Sequence, residues 1–194
     1  MSRAKLRMLA VGAGMAAAVA VTTPVPAAQA AGSAAPQRAA ACSYNVPSQF
    51  LRRWNDNHGA DGGFGCPVQE AFQYGNGLYQ WFAKGAMVWS PNQGANMVTS
   101  VQRWGAGLRF DWGLSDGYNY DGWLINIRRD GQDINGDQEC IAHGGGSGDC
   151  GRYDGTVYWN TLQPGQYRIS VEGCDIGSGH TCRQGWTLPV YEYL

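Results

Sequence analysis

The sequence predicts a mainly β protein, in which a small β-hairpin module precedes an antiparallel β-sandwich. Glycine provides 29 of the 194 residues, and Trp and Tyr together provide 18, a composition that favours short strands and turns. In the C-terminal half, apolar and polar residues alternate with a period of two. No helical pattern of about ten residues separates these runs, which argues against a parallel α/β sheet.

The N-terminal segment has the pattern of an export signal. Basic residues within the first seven positions precede an uncharged apolar stretch, Leu9 to Val21, and a small-x-small site follows at Ala28-Gln29-Ala30. The stretch is shorter than the roughly 20 residues of a membrane-spanning helix, which disfavours an uncleaved anchor. We therefore predict a signal peptide at residues 1–30 and a secreted, extracellular protein, free or associated with the cell wall.

The charge of the remaining chain excludes several classes of partner. Beyond residue 30, 11 basic residues face 15 acidic ones, and they form no basic stripe. Nucleic acid is therefore not an expected partner. The chain also shows no basic amphipathic helix, so we expect no membrane insertion.

Six cysteines in an exported chain indicate disulfides. Fifteen pairings are possible, and we predict the three local ones because each joins cysteines that are neighbours in sequence. The predicted pairs are Cys42–Cys66, Cys140–Cys150 and Cys174–Cys182. Zinc is the alternative, but the chain has no C-x-x-C pair, so we predict no metal site and no cofactor.

Residues 31–41 contain mostly small side chains and predict a flexible arm. Arg38 carries the only charge of the arm. An extended segment with one anchoring side chain can lie in the groove of a partner protein, so Arg38 is a candidate binding residue. The alternative is an ordinary linker.

The first module is predicted at residues 42–98. Ser48 is the expected N-cap of a short helix through Phe50 and Trp54. Two aromatic strands, 78–82 and 86–90, should form a hairpin between glycine-containing turns. The second module, residues 99–194, is predicted to contain six or seven short strands separated by Asp-Gly, Asn-Gly and Pro-Gly turns, as in a sandwich.

Aromatic residues are more numerous than a small core requires, and exposed Trp and Tyr often mark contacts with proteins or sugars. The alternative is that they fill the core. The candidate binding aromatics are Tyr79, Trp81, Trp89, Tyr118, Tyr120 and Trp123. Tyr118-Asn119-Tyr120 lies between turn signals and is the best candidate for an exposed patch.

One region resembles the LGFP repeat. The resemblance is carried by Phe64-Gly65-Cys66-Pro67, Glu70, Gly77, Gln80, Phe82, Gly85, Met87, Trp89-Ser90-Pro91 and Gly94-Ala95, within residues 54–98. Phe64 stands where leucine is usual, and Cys66 replaces a small or apolar residue. Such repeats usually occur in tandem on secreted bacterial proteins, and the resemblance implies attachment to the cell envelope.

The second module is similar to a fibronectin type III or immunoglobulin-like sandwich. The similarity is carried by Leu162, Pro164-Gly165, Tyr167, Ile169 and Val171. It implies that Tyr167 forms a tyrosine corner and that Trp112 is the core tryptophan. Such domains act as binding or spacer units, and the fold alone does not define a function.

Two loops contain residues that suggest chemistry. His143-Gly144-Gly145-Gly146 is similar to an esterase oxyanion loop, but no G-x-S-x-G elbow follows it and Ser147 lies among glycines. The acidic loop Asp130–Glu139, including Asp137, offers oxygen ligands for calcium, although its spacing departs from that of an EF-hand. We interpret the first as a glycine loop and the second as a hairpin tip, with calcium as an alternative.

These observations lead to three functional hypotheses. The first is a secreted, non-catalytic docking protein that attaches to a cell-envelope polysaccharide or an exported protein partner. The second is an adaptor subunit of a secreted assembly, such as a lectin or toxin complex, that engages its partner through the arm. A secreted hydrolase is the third and is disfavoured, because nucleophilic catalysis needs an oriented base that the sequence does not show.

Overall fold

A computed structural model of the chain describes residues 42–136, 138–141, 148–160, 163–175 and 181–194. Strands predominate over helix, 48% against 11%, and confirm the predicted mainly β class. One helix, α1 (Ser48–Asp56), precedes the strands, with short 3-10 turns at Gly59–Asp61 and Pro91–Gln93. The strands are β1 (Phe72–Tyr74), β2 (Gly77–Phe82), β3 (Gly85–Trp89), β4 (Val98–Trp104), β5 (Gly107–Gly113), β6 (Gly122–Arg129), β7 (Gln132–Asp133), β8 (Gln138–Ile141), β9 (Gly148–Cys150), β10 (Asp154–Trp159), β11 (Gln166–Asp175), β12 (Thr181–Cys182) and β13 (Val190–Tyr193).

The strands form two antiparallel sheets, one of which curls into a half-barrel. Sheet A has the order β1-β2-β3-β4-β5-β10-β9, so its first five strands form a meander and β10 returns beside β5. Sheet B has the order β12-β11-β6-β7, with β13 also paired to β11 and β8 to β6. The long β6–β11 ladder, from Gly122↔Cys174 to Arg129↔Tyr167, is the centre of sheet B.

The main core lies between the two sheets and follows the period-two alternation of the sequence. In β5, Leu108, Phe110 and Trp112 are buried in this core. Ile125 and Ile127 of β6 belong to the same cluster. The alternating runs of the sequence therefore mark the inner faces of both sheets.

A second, smaller cluster lies on the other face of sheet A, below α1. It contains Phe50, Phe64, Phe82, Met87 and Val98. The helix begins at Ser48, but Pro47 occupies the N-cap position without a side-chain bond, and the Ser48 hydroxyl donates to Gln49 instead. The predicted N-cap role of Ser48 is thus wrong, because Ser48 is already the first helical residue.

The predicted division at residues 98 and 99 is not a break in the structure. Both residues belong to β4, which pairs with β3 on one side and β5 on the other. The described part of the chain lies within one compact unit. A lone hairpin leaves backbone donors and acceptors unpaired along its edge, and β4 satisfies those of β3. The two predicted modules therefore share one sheet.

Two features expected from the sandwich resemblance are present. The Tyr167 hydroxyl donates to the carbonyl oxygen of Gln163 at 2.9 Å, which is the local bond of a tyrosine corner. Trp112 is fully buried and meets Trp123 edge to face, with ring centroids 5.8 Å apart. The two-sheet architecture is confirmed, whereas membership of the fibronectin type III or immunoglobulin class stays a prediction.

All three predicted disulfides are present: Cys42–Cys66, Cys140–Cys150 and Cys174–Cys182. The first ties the segment before α1 to the segment before β1, and the third joins β11 to β12 at directly paired positions. Within the described ranges, no helix combines the length and the apolar character required to cross a bilayer.

Candidate binding site

Three of the aromatic residues predicted to bind are core residues. Tyr79, Tyr120 and Trp123 are at most 2% exposed, so their rings offer no surface to a ligand. The Tyr79 hydroxyl accepts the backbone N–H of Tyr191 at 2.9 Å, and burial raises its pKa. Burial also raises the pKa of Tyr120 to about 12, and its ring meets Trp123 edge to face at 5.0 Å. The alternative that aromatics fill the core is correct for these three.

The other predicted aromatics differ in exposure. Trp81 and Trp89 are half-buried, and the Trp89 indole N–H donates to the carbonyl oxygen of Ala95 at 2.8 Å. Tyr118 is 37% exposed and stacks on Tyr120 with centroids 6.0 Å apart. Of the six predicted aromatics, Tyr118 is thus the one with an exposed ring.

Several predicted residues lie outside the described ranges. Arg38 and the arm 31–41 belong to this group, as do His143, Ser147 and Asp137. In the described part of the acidic loop, one Asp133 carboxylate oxygen accepts the backbone N–H groups of Asn135 at 3.1 Å and Gly136 at 2.7 Å. The Gly136 bond is the main cause of a lowered Asp133 pKa. Asp133 therefore closes the hairpin turn, and calcium binding in this loop stays a prediction.

The best-formed site lies on the face of sheet A that turns away from sheet B. Because side chains alternate along a strand, the residues between the core positions of β4, β5 and β10 point to this face. Arg109 and Asp111 of β5 lie opposite Tyr158 and Thr156 of β10, respectively. Helix α1 covers the apolar part of the face and leaves this polar part open at its edge.

A charged cluster organises the polar part. One Asp111 carboxylate oxygen, Oδ1, accepts Arg109 Nε at 3.0 Å, an Arg109 terminal nitrogen at 2.7 Å and the Thr156 hydroxyl at 2.7 Å. Arg53 reaches across from α1, with a terminal nitrogen 3.9 Å from the same oxygen and another donating to the carbonyl of Gly113 at 3.3 Å. Burial lowers the pKa of the Arg53 guanidinium. The cluster fixes the two guanidinium groups at the surface of the sheet.

Two exposed aromatic rings continue this face. Trp104 is 50% exposed and Tyr158 is 43% exposed, and their ring centroids lie 6.1 Å apart. The Arg109 guanidinium carbon lies 5.5 Å from the Trp104 ring centroid, within the range of a cation–π contact. Arg109 therefore links the aromatic pair to the Asp111 cluster.

Trp104 and the Asp111 cluster line a groove of three adjoining depressions that share Arg53, and the Tyr158 ring lies beside it against Trp104. The first, of about 310 Å³, is lined by Trp104, Arg109, Gln102 and residues 56–58 and 63. The second, of about 260 Å³, lies over the Asp111 cluster and reaches Asp154, and the third, of about 240 Å³, continues along α1. We call this surface the sheet A groove.

Buried polar atoms in the wall of the sheet A groove have no hydrogen-bond partner among the described residues. They are the second carboxylate oxygen of Asp111 and both side-chain amide atoms of Gln102. Asp111 is 1% exposed and Gln102 is fully buried. An unpaired buried polar group costs about 1–3 kcal/mol, and such groups call for a functional explanation.

The candidate binding aromatics predicted from the sequence included neither Trp104 nor Tyr158. The alternation of side chains between the two faces of a strand was a usable signal. In β10, Val157 is core, so its neighbour Tyr158 must face outward, and Trp104 ends a strand whose core-facing residue is Val101. That signal requires knowing the strand bounds and which face each sheet buries.

Comparison with known proteins identifies one family. The model of the LGFP repeat matches residues 64–107, which run from the segment before β1 to the first residue of β5 and include Trp104. No curated protein matches the chain. No solved structure matches it either.

The repeat confirms the resemblance found in the sequence over a slightly later range, 64–107 instead of 54–98. An LGFP repeat indicates a protein associated with the cell envelope. Together with three disulfides, it fits an extracellular or cell-surface location.

Proposed function

We propose that this protein is a non-catalytic docking module of the cell envelope that binds a polysaccharide in the sheet A groove. The observation that carries the proposal is the pairing of the exposed rings of Trp104 and Tyr158 with the fixed guanidinium of Arg109. The LGFP repeat supports an envelope location, and Trp104 lies within it.

The chemistry of the groove suits a glycan. The C–H faces of a sugar ring are apolar and pack on aromatic rings, whereas its hydroxyl groups need donors and acceptors around the rim. Trp104 and Tyr158 supply the rings, and the Arg109 guanidinium supplies donors beside them. Three depressions that meet at Arg53 give room for more than one sugar unit.

The buried carboxylate of the groove, that of Asp111, is unsuited to act as the acid of a glycoside hydrolase. A glycoside hydrolase needs two carboxyl groups flanking the bond, one of them free to donate a proton. In the groove, Oδ1 of Asp111 is engaged by Arg109 and Thr156. Asp111 therefore serves to hold Arg109 and Arg53 in place, which is a positioning role.

The test is co-sedimentation of the purified protein with insoluble cell-wall polysaccharide. Trp104→Ala and Tyr158→Ala should each weaken binding by about tenfold, or about 1.4 kcal/mol, as expected for a central aromatic contact. Tyr153→Ala is the matched control, because Tyr153 is 45% exposed and its ring, unlike that of Tyr158, does not pair with Trp104. Equal losses in all three variants, or no binding of the parent protein to any wall fraction, would contradict the proposal.

A protein partner is the second candidate, favoured by the edge of sheet A. Strand β1 pairs only with β2 among the described strands, and the edge exposes Val68 and Phe72, at 51% and 41%. An exposed, apolar edge can accept an added strand from another chain. Native purification from culture fluid distinguishes the two functions: a stoichiometric exported protein lost on Phe72→Lys supports an adaptor, and a lone protein retained by the cell pellet supports docking.

A further inference from the structure

A second polar depression lies on the outer face of sheet B and is independent of the sheet A groove. In the β6–β11 ladder, Arg128 is directly opposite Arg168, and Asn126 is directly opposite Ser170. These four side chains share one face, because Ile127 and Ile169, which separate them along the strands, are buried in the core on the other face.

The facing arginines are an unfavourable pair unless an anion accompanies them. Like charges directly opposite in an antiparallel ladder destabilise it. The nearest carboxylate across the sheet is Asp133, which is paired with Arg128 through β7. Its charge offsets that of Arg128 in part, and its two oxygens accept bonds from the hairpin turn and from the Asn126 amide at 2.6 Å, so two arginines share one nearby carboxylate.

Other ionisable groups on this face are more distant or neutral. Glu172 lies four residues beyond Arg168 on the same strand, roughly 13 Å away at 3.3 Å per residue. Tyr191 flanks Arg168 on β13 and carries no charge at neutral pH. The centre of the face is therefore electropositive.

The depression has a polar floor and an aromatic wall. Asn126 and Ser170 form the floor and are 6% and 2% exposed. The side-chain oxygen Oδ1 of Asn126 accepts a hydrogen bond from Arg128 Nε at 3.1 Å, which orients the guanidinium. Trp186 is 36% exposed and forms a wall of the depression, whose volume is about 300 Å³.

The backbone on both sides holds Trp186 in place. Asn92, from the LGFP repeat, donates its side-chain amide to the carbonyl oxygen of Trp186 at 3.1 Å. The following residue, Thr187, donates its backbone N–H to Val171 of β11 at 2.8 Å. The main chain that carries the ring is thus held at the edge of the depression.

We propose that this depression binds an oxyanion, a carboxylate or a phosphate, carried on a sugar ring. Arginine forks form bidentate, charge-assisted bonds with both groups, and a bound anion would remove the repulsion between Arg128 and Arg168. The sugar ring attached to the anion packs on the face of Trp186. An acidic polysaccharide of the envelope offers this combination, whereas a neutral glycan does not.

The experiment is a titration of the whole secreted chain, labelled with 15N, against three matched probes. Glucuronate and glucose 1-phosphate carry the two oxyanions, and glucose is the neutral control. Either anion should shift the indole N–H signal of Trp186, and glucose should not. Binding should weaken as salt rises, because the depression is open to solvent.

Arg128→Gln and Arg168→Gln should each weaken anion binding by about tenfold or more, as expected for loss of a bidentate ion contact. Arg152→Gln is the charge-matched control, since Arg152 is exposed and pairs with Asp121 at 3.9 Å, outside this depression. Trp186→Ala should also weaken binding, and circular dichroism confirms that each variant is folded.

The possible outcomes distinguish a uronic acid from a phosphorylated sugar, and both from the absence of specific anion binding. A shift with glucuronate alone identifies a uronic acid, and a shift with glucose 1-phosphate alone identifies a phosphorylated sugar. Equal binding of glucose, an equal loss in Arg152→Gln, or no Trp186 shift at about 20 mM of either anion, well above a typical weak dissociation constant, would overturn the proposal.

Discussion

Asp111 should be the most sensitive charged residue of the sheet A groove. Replacing it with asparagine keeps the shape of the side chain and removes its charge. The carboxylate is 1% exposed and lies against two guanidinium groups, those of Arg109 at 2.7 Å and Arg53 at 3.9 Å. In Asp111→Asn, both cations lose their common counter-charge at a site that water barely reaches.

The expected cost follows from the burial of the three groups. Breaking a buried ion pair by removing one partner costs about 3–5 kcal/mol, because the remaining charge is uncompensated. The side chains of Arg53 and Arg109 are still 19% and 23% exposed, which favours the lower end of this range, about 3 kcal/mol. For a chain of this size, each kcal/mol lowers Tm by about 2–4 °C, so the expected shift is about 6–12 °C.

Urea unfolding followed by tryptophan fluorescence, together with a thermal scan, measures this loss. Asp154→Asn is the matched control, because it removes a carboxylate from the same groove at an exposed position and should change stability by no more than about 0.5 kcal/mol. A loss below about 1 kcal/mol for Asp111→Asn, or an equal loss in Asp154→Asn, would refute the positioning role of Asp111.

Three further substitutions test the packing of the core, one of its hydrogen bonds and the pH dependence of stability. Gly173→Ala would place a methyl group 2.3 Å from the Tyr120 ring, so we expect a loss of about 1–3 kcal/mol in urea unfolding. Tyr167→Phe removes the corner hydrogen bond and should cost about 1 kcal/mol, with a fluorescence spectrum like that of the parent. Burial raises the pKa of Glu192 in the folded protein against the opposing effect of Arg103, so its contribution to stability is fully present below about pH 4 and is lost as pH rises through the raised pKa. As pH rises from 3 to 8, the free energy of unfolding of Glu192→Gln should therefore increase relative to that of the parent. A difference between the two proteins that does not change with pH would contradict this.

The general architecture was predictable because it rests on local signals. Alternation in β5, β6 and β11 revealed the inner faces, and the glycine-containing turns revealed the hairpins. The three disulfides were predictable because each joins neighbours in sequence, and the LGFP turn and strand motifs lie within one short segment. None of these inferences required knowledge of which strands meet over long distances.

The binding surfaces were less predictable because exposure depends on long-range pairing. From the sequence, Tyr79 was predicted to be a surface aromatic of a small hairpin. In the structure, the C-terminal strand β13 packs over Tyr79, and the Tyr79 hydroxyl accepts the backbone N–H of Tyr191. Conversely, Tyr158 reads as one aromatic among several, and only the pairing of β10 with β5 places it beside Arg109 and Trp104. The identity of a residue can suggest binding, but its face is decided by the partner strand.

The same long-range pairing changes how the single LGFP repeat should be understood. Its strands β2, β3 and β4 form one ladder that continues into β5, β13 covers Tyr79, and its Ser90 hydroxyl accepts the backbone N–H of Leu188 at 2.8 Å. The C-terminal segment therefore packs directly on the repeat. The repeat and the second sheet therefore fold as one body, which explains how one copy can present Trp104 in a groove completed by residues outside the repeat.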